Sequence, residues 1–264
     1  MKRTRTTAGT AAALVAVAAT LGFVGTTASV AHADSGSLPG GLVIVHAPGT
    51  KAPIIGSPAH LPDLGTSSTY QPGPGMAPAI TGFYNSGAYS QQQNAVGRAA
   101  LRELNRWHRQ GCGKSCKPAI VFDLDDTTWS WYPYFSATNF APPGPASDVA
   151  KADCVPPLIP ATKAVIDRAV KLGVTVFFIS GRASSDEAIT KNCLVKYGLP
   201  SDHLILQTPD QQQFSRAVFK NNARASIEKA GYTIGLNVGD QVSDVTGSHF
   251  RSGFLLPNPM YFTP

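Results

Sequence analysis

Short apolar runs alternate with amphipathic segments over the second half of the chain. The runs are rich in Val, Ile, Leu and Phe, and the segments between them carry apolar residues at three- and four-residue spacing. Continuous apolar strands separated by amphipathic helices are typical of a parallel sheet covered on both faces. The pattern predicts an α/β fold with a doubly wound, mainly parallel sheet. The predicted strands are AIVFDL, VTVFFIS, HLILQ and YTIGLNVGD, with GFLLPN as a candidate last strand.

Four amphipathic segments are predicted helices. The first runs from about Ser90 to Gln110. The third begins at a serine, which favours an N-cap, and the second and third end at glycines, which favour the position after a helix. The later three are ATKAVIDRAVKLG, SSDEAITKNCLVKYG and FSRAVFKNNARASIEKAG. Four apolar residues share one face of the first helix: Val96, Ala100, Leu104 and Trp107.

Residues 1–33 have the pattern of a secretory signal peptide. MKRTRTT carries three positive charges, a mostly apolar stretch follows, and AHA precedes Asp34, which is the order of n-region, h-region and cleavage site. We expect cleavage after Ala33 and a secreted protein without a stable membrane anchor. A retained N-terminal anchor is the alternative, although the apolar stretch is shorter than the about 20 residues of a membrane span.

Residues 34–88 are rich in Pro, Gly, Ser and Ala and lack sustained periodicity. This composition favours an extended or poorly ordered arm, and residues 89–264 remain as one domain. The signal peptide carries three basic residues and no acidic one, so its removal lowers the formal net charge from +6 to +3. Such a small charge argues against a nucleic-acid polymer as partner.

The four cysteines are Cys112, Cys116, Cys154 and Cys193. An even number in an exported chain suggests two disulfides, and the spacing leaves all three pairings open. A zinc site is the competing interpretation. It is disfavoured because no second close cysteine pair accompanies CGKSC and no histidine is near the other two cysteines.

Polar residues follow three of the predicted strands. Asp123 and Asp125 end the first, Ser180 ends the second, and Asp240 and Asp244 follow the fourth. Ligands of open α/β sheets bind outside the carboxyl ends of the strands, so we expect these side chains to meet. Clustered carboxylates need a cation, and Mg²⁺ prefers oxygen ligands together with substrate phosphate. The sequence therefore predicts a magnesium and phosphate site.

These segments resemble the motifs of the haloacid dehalogenase-like (HAD) superfamily of phosphohydrolases, and most closely its secreted class C acid phosphatases and their plant relatives. The matching segments are DLDDT, FFISGR, VFKNNARASIEKAGY and NVGDQVSD, in the order of the family. The resemblance covers roughly residues 90 to 258. It implies hydrolysis of small phosphate monoesters. A 5′-nucleotidase of the same fold is the alternative enzyme, and a non-catalytic surface or storage protein is the alternative from another class.

The resemblance implies a role for each matching residue. Asp123 would be the nucleophile that forms an aspartyl-phosphate, and Asp125 would protonate the leaving oxygen and then activate water. Thr127 would hold the loop, while Ser180 with Gly181 would bind the phosphoryl group. Mg²⁺ would be held by Asp123, the Asp125 carbonyl oxygen, Asp240 and Asp244.

Lys220 would neutralise charge on the phosphate and on the nucleophile. Arg216 and Arg224 lie one turn either side, but Lys220 stands eleven residues before Gly231, the usual interval in the family. A solvated lysine on a helix face is the alternative for Lys220. Arg182 is either a phosphate contact or a surface residue, and Asp126 is interpreted as a loop or capping residue.

The resemblance places a small cap at about residues 129–157, over the site. We expect Cys154–Cys193 to join the end of this cap to the helix after Ser180, and Cys112–Cys116 to be a local bridge. The cap begins with aromatic residues, which either pack as cap core or stack on an aromatic or nucleotide leaving group. Trp129 and Trp131 are the first candidates for stacking.

Overall fold

The computed structural model describes residues 38–62, 68–112 and 116–264. Its sheet contains β1 (Val43–Ile44), β2 (Ile54–Gly56), β3 (Lys117–Phe122), β4 (Thr175–Ala183), β5 (Leu204–Gln207), β6 (Tyr232–Gly239) and β7 (Ser252–Leu255). The spatial order is β1-β2-β7-β6-β3-β4-β5. Only the β1–β2 pair is antiparallel within this described sheet. The expected doubly wound, mainly parallel α/β fold is therefore confirmed.

Helices cover both faces of the sheet. They are α1 (Ala77–Asn85), α2 (Ala88–Gln110), α3 (Tyr132–Ala137), α4 (Pro145–Ala152), α5 (Pro160–Lys171), α6 (Glu187–Lys196), α7 (Arg216–Lys229) and α8 (Val242–Val245). Helices α2 and α5 pack on one face, and α7 and α8 pack on the other. The predicted apolar face of α2 is buried at all four positions: Val96, Ala100, Leu104 and Trp107.

The central strand β3 is buried on both faces. Ile120 and Phe122 join the hydrophobic cluster beneath α2 and α5, whereas Ala119 and Val121 join the cluster beneath α7. Alternate side chains of a strand point to opposite faces, so every side chain from 119 to 122 is apolar. The strand ends at Phe122, and Asp123 begins the loop that follows.

The expected arm at residues 34–88 is corrected by the structure for the residues it describes. β2 lies in this segment and pairs in parallel with β7, β1 pairs with β2, and α1 also falls within it. Ile54 is fully buried, because its side chain belongs to the hydrophobic cluster beneath α7. Strands of two or three residues are too short to produce a period-two pattern.

One local expectation, the serine cap of the helix after Ser180, also differs from the structure. The segment after Ser180 begins with a 3₁₀ turn at Ser184–Asp186, and α6 starts at Glu187 without a side-chain cap. The predicted serine cap is therefore wrong. The segment 129–157 contains α3 and α4.

The structure contains disulfides Cys112–Cys116 and Cys154–Cys193, which is the expected pairing. The second bridge joins the turn after α4 to α6, across 39 positions of the sequence. The expected signal peptide, residues 1–33, lies outside the described residues. Among the helices that are described, none has both the length and the apolar composition needed to cross a membrane.

Candidate active site

The carboxyl ends of β3, β4 and β6 open into one cavity of about 780 Å³. The Asp123 N–H donates to the Val238 carbonyl of β6 at 2.9 Å, which fixes the first loop to the neighbouring strand. Thr127 is fully buried behind the cavity wall. The other predicted site residues all line this cavity: Asp123, Asp125, Ser180, Gly181, Lys220, Asp240 and Asp244.

Lys220 lies between two carboxylates. Its Nζ donates to Asp123 Oδ1 at 2.6 Å and also donates to Asp244 Oδ1. Burial opposes the positive charge of Lys220, but the two carboxylates outweigh burial and raise its pKa above the ordinary value. Lys220 is only 6% exposed, so the solvated-lysine alternative is wrong.

Asp240 is held by three donors. Thr127 Oγ1 donates to its Oδ1 at 2.6 Å, while Gln241 Nε2 and Asn258 Nδ2 donate to its Oδ2 at 2.9 and 2.7 Å. Burial, followed by the charges of Asp244 and Asp126, raises the Asp240 pKa to about 7. The contact of Asn258 with Asp240 had no sequence signal, because Asn258 follows the last motif, at the end of the candidate strand GFLLPN.

Asp123, Asp240 and Asp244 form a cluster of buried carboxylates. Each offers one oxygen, and these oxygens lie within 4.8 Å of one another. Burial raises the Asp123 pKa well above its ordinary value, and the neighbouring carboxylates act in the same direction against Lys220. One ammonium against three carboxylates leaves an excess of negative charge in this buried cluster. A divalent cation with oxygen ligands fits this donor set.

Asp125 has a different environment. Arg182 donates from Nη2 to Asp125 Oδ1 at 2.6 Å and from Nε to Oδ2 at 2.9 Å. The indole N–H groups of Trp129 and Trp131 donate to Oδ1 at 2.9 and 2.5 Å. Burial favours the neutral acid, but these cationic and neutral donors outweigh it and lower the Asp125 pKa to about 2.

Arg182 is therefore not a surface residue: it lines the cavity and is paired there with Asp125. A phosphate contact by Arg182 stays a prediction. Its side chain is 7% exposed, and its guanidinium also lies 5.0 Å from the centroid of the Trp129 ring. Trp129 is buried and does not line the cavity, whereas Trp131 does. Trp129 is consequently not placed to stack on a group in the cavity, and it contacts Asp125 and Arg182 instead.

Asp126 connects the first loop to the C-terminal segment. Its backbone has φ 57°, and its carboxylate accepts from the Trp131 N–H at 2.8 Å and from the Tyr261 hydroxyl at 2.9 Å. Burial raises its pKa to about 7. The interpretation as a loop residue agrees with this position, but the contact with Tyr261 had no sequence signal.

The remaining cavity wall is largely aromatic and proline-rich. It comes from the cap, from the C-terminal segment with Tyr261 and Thr263, and from the segment before α1, which contributes Thr69, Gln71 and residues 72–74. Five aromatic residues line the cavity: Trp131, Tyr134, Phe135, Phe140 and Tyr261.

Comparison with known proteins identifies the class to which this fold and site belong. Residues 75–264 match the family model of the HAD superfamily, subfamily IIIB (acid phosphatase), and the chain belongs to this family. The structure resembles the class C acid phosphatase from Bacillus anthracis with a TM-score of 0.60 and 21% identity, over 72% of this chain and 86% of that one.

Curated relatives carry two kinds of name. Vegetative storage protein 1 of Arabidopsis thaliana is 33% identical over 54% of this chain and 55% of its own length. Acid phosphatase 1 of Solanum lycopersicum is 31% identical over 57% of this chain and 61% of its own length. The chain thus spans a little over half the length of the curated relatives that it matches.

Proposed function

We propose that the protein is a Mg²⁺-dependent phosphomonoesterase that works through an aspartyl-phosphate on Asp123. The observation that carries this proposal is the position of Asp123 in the cavity, paired with Lys220 and beside Asp240 and Asp244. An attacking carboxylate needs a neighbouring cation to keep it ionised and to offset the charge of the incoming phosphate. Lys220 supplies one such cation.

The reaction would occur in two displacements. Asp123 Oδ attacks phosphorus as the bond to the leaving oxygen breaks, and Asp125 supplies a proton to that oxygen. Asp125 then takes a proton from water as the water attacks phosphorus and releases Asp123. Because Arg182 and two indoles hold Asp125 as a carboxylate, its first step requires prior protonation, which suits an acidic working pH.

A bound Mg²⁺ would neutralise charge on the phosphoryl oxygens. Asp123, Asp240, Asp244 and the Asp125 carbonyl oxygen are the groups proposed to hold it. Ser180 and Gly181 line the same cavity and are proposed to donate to the phosphoryl group. Thr127 fixes Asp240 and so would position a ligand without touching substrate.

Phosphate release by the purified mature protein tests this proposal. We expect hydrolysis of phosphate monoesters that EDTA abolishes and Mg²⁺ restores. Acid-quenched peptide mapping should find phosphate on Asp123. Because relatives include a protein named as a storage protein, the panel must also contain nucleoside monophosphates. A folded protein that releases no phosphate from any of them would support the non-catalytic alternative.

The aromatic wall supports a preference for aryl or nucleoside phosphates. Tyr134 is half-buried, lines the cavity and meets Trp131 edge to face. Base–aromatic stacking contributes roughly 1–3 kcal/mol, so Tyr134→Leu should lower kcat/KM for a nucleoside monophosphate at least several-fold more than for glycerol phosphate. Equal losses would assign these rings to packing alone. Trp131→Ala is a poorer probe, since Trp131 also holds Asp125.

Export is proposed on separate grounds. The two disulfides are typical of an oxidising compartment, and residues 1–33 carry the signal-peptide pattern. Mass spectrometry of protein from the culture medium should find Ala33 removed and Asp34 as the first residue. Retention of residues 1–33 on the cell surface would support the anchor alternative.

A further inference from the structure

Within the part of the chain that the structure describes, one basic side chain of the cavity wall forms no ion pair with a carboxylate. Of the four basic side chains in the described wall, Lys151 pairs with Asp148 and Asp186. The other two paired cations are Arg182 with Asp125, and Lys220 with Asp123 and Asp244. The fourth is Arg216, which forms no ion pair with any residue that the structure describes.

Arg216 is fixed in place by the fold. It is the first residue of α7, where Ser215 caps the helix by accepting the Val218 N–H at 3.3 Å. The Arg216 N–H donates to the Pro264 carbonyl at 3.0 Å. Lys220 follows one turn later on the same helix face, so the two cations stand one above the other at the cavity wall.

The Arg216 side chain lies across Gly181. A β-carbon at position 181 would stand 2.6 Å from Arg216 Nε and 2.8 Å from Cζ. Gly181 does not have a positive φ, so backbone conformation does not require glycine there. The absent side chain instead leaves the space that the guanidinium occupies, directly against the residue proposed to bind phosphate.

We propose that Arg216 binds an oxygen of the phosphoryl group, as a phosphate-specific contact that the family motifs do not contain. This inference rests on the proposed function of the same cavity. The guanidinium is half-buried, always protonated, and offers planar donors that match phosphate. Burial lowers the Arg216 pKa against the weaker opposite effect of Asp123 and Asp125, as expected for a cation that lacks a counter-ion until an anion arrives.

Binding of inorganic phosphate tests the proposal without requiring turnover. Isothermal titration with phosphate in magnesium buffer would compare wild type, Arg216→Ala, Arg216→Lys and the exposed control Arg98→Ala. A hydrogen bond to a charged group is worth about 1.5–3 kcal/mol, so Arg216→Ala should weaken Kd by about 10- to 100-fold. The Kd of Arg216→Lys should lie between the values of wild type and Arg216→Ala, and the Kd of the Arg98→Ala control should match wild type.

Kinetics identify which group Arg216 contacts. KM for glycerol phosphate and for an aryl phosphate should rise by the same factor in Arg216→Ala, since both share the phosphoryl group. Phosphate affinity within twofold of wild type would overturn the proposal. So would a loss confined to bisphosphate substrates, which would assign Arg216 to a second anionic group. Wild-type phosphate binding without hydrolysis would instead refute only the catalytic proposal.

Gly181→Ala provides a second test. The new methyl group should displace the guanidinium, so phosphate affinity should fall and adding Arg216→Ala should change it little further. If the losses of phosphate affinity in Gly181→Ala and Arg216→Ala add fully in the double variant, the two residues act independently. That result would contradict the proposal that Arg216 binds phosphate from its position over Gly181. Thermal unfolding of each variant checks that the fold is retained.

Discussion

Asp123 and Asp125 stand two positions apart on one loop, yet their pKa values shift in opposite directions. Asp123 belongs to the sheet side of the cavity, defined here as Asp123, Lys220, Asp240 and Asp244. Asp125 belongs to the cap side, defined as Asp125, Arg182, Trp129 and Trp131. The pKa of Asp123 is raised well above its usual range, whereas the pKa of Asp125 is lowered to about 2.

The difference comes from how each side balances its charge. The sheet side sets three buried carboxylates against one ammonium, so it retains negative charge that a metal can neutralise. The cap side sets one carboxylate against a guanidinium and two indole N–H groups, so it is balanced without a metal. Two carboxylates on the same loop can therefore have different pKa values and different chemical roles because their surroundings differ.

The largest effect is expected on the sheet side. Asp123→Asn keeps the shape of the side chain but removes the attacking anion, so turnover should fall by about 10⁴-fold or more. Phosphate release under single-turnover conditions measures the loss. Asp202→Asn, at an exposed position, is the matched control. Substantial activity in the Asp123 variant would exclude an aspartyl-phosphate.

A smaller loss is expected on the cap side. Arg182→Met removes the guanidinium that orients Asp125, and misplacement of a catalytic group costs about 100-fold. Without Arg182, burial should move the Asp125 pKa upward from about 2, so the carboxylate would take up a proton at higher pH. Because Asp125 must be protonated for the first displacement, the alkaline limb of kcat/KM should shift to higher pH accordingly. An unchanged pH profile, with Arg98→Met as reference, would argue against this pairing.

The two disulfides should contribute unequally to the free energy of unfolding. Cys154–Cys193 closes a loop of 39 positions at the end of the cap, and its removal should lower the free energy of unfolding by roughly 3–4 kcal/mol in the chain-entropy model. Cys112–Cys116 closes four positions and should contribute about 2 kcal/mol. Urea unfolding of the two double-alanine variants measures both values, and equal losses would contradict the loop-length explanation.

The smallest effect concerns His60, which lies beneath the sheet side and binds the Leu256 carbonyl at 2.5 Å. Burial lowers its pKa to about 4, so the unfolded chain binds a proton more readily than the folded one. The stability that neutral His60 contributes to the folded state is fully present above about pH 6.5 and is lost as the pH falls toward 4. Between pH 6.5 and 4.5, the free energy of unfolding should therefore fall by about 2 kcal/mol less in His60→Gln than in wild type.

The quantity to compare is the difference in unfolding free energy between wild type and His60→Gln, measured at pH 6.5 and at pH 4.5. This difference removes the opposite trend of Asp240, whose raised pKa makes the metal-free protein less stable as pH rises toward 7. A constant difference across the range would show that His60 does not titrate on unfolding. Measurement in EDTA keeps the carboxylate cluster free of metal at both pH values.

Much of the sheet side could be predicted from sequence. Asp123, Ser180 and Asp240 follow apolar runs, and parallel strands bring their carboxyl ends together at one edge. Less of the cap side could be predicted, because Arg182 meets Asp125 from 57 positions away and a local pattern cannot show which partner it selects. The edge strands β1 and β2 were missed for a related reason, since they become strands only by pairing.

The sequence by itself determined the alternation of strands and helices, and hence which polar residues reach the cavity. Periodicity carries this information because burial repeats with the geometry of each element. Only the tertiary structure decided the charge balance at each carboxylate. It placed Asn258 on Asp240 and Tyr261 on Asp126, and it set Arg216 over Gly181 without an ion pair to any described carboxylate. Electrostatic environment depends on distances across the fold, which the order of residues does not contain.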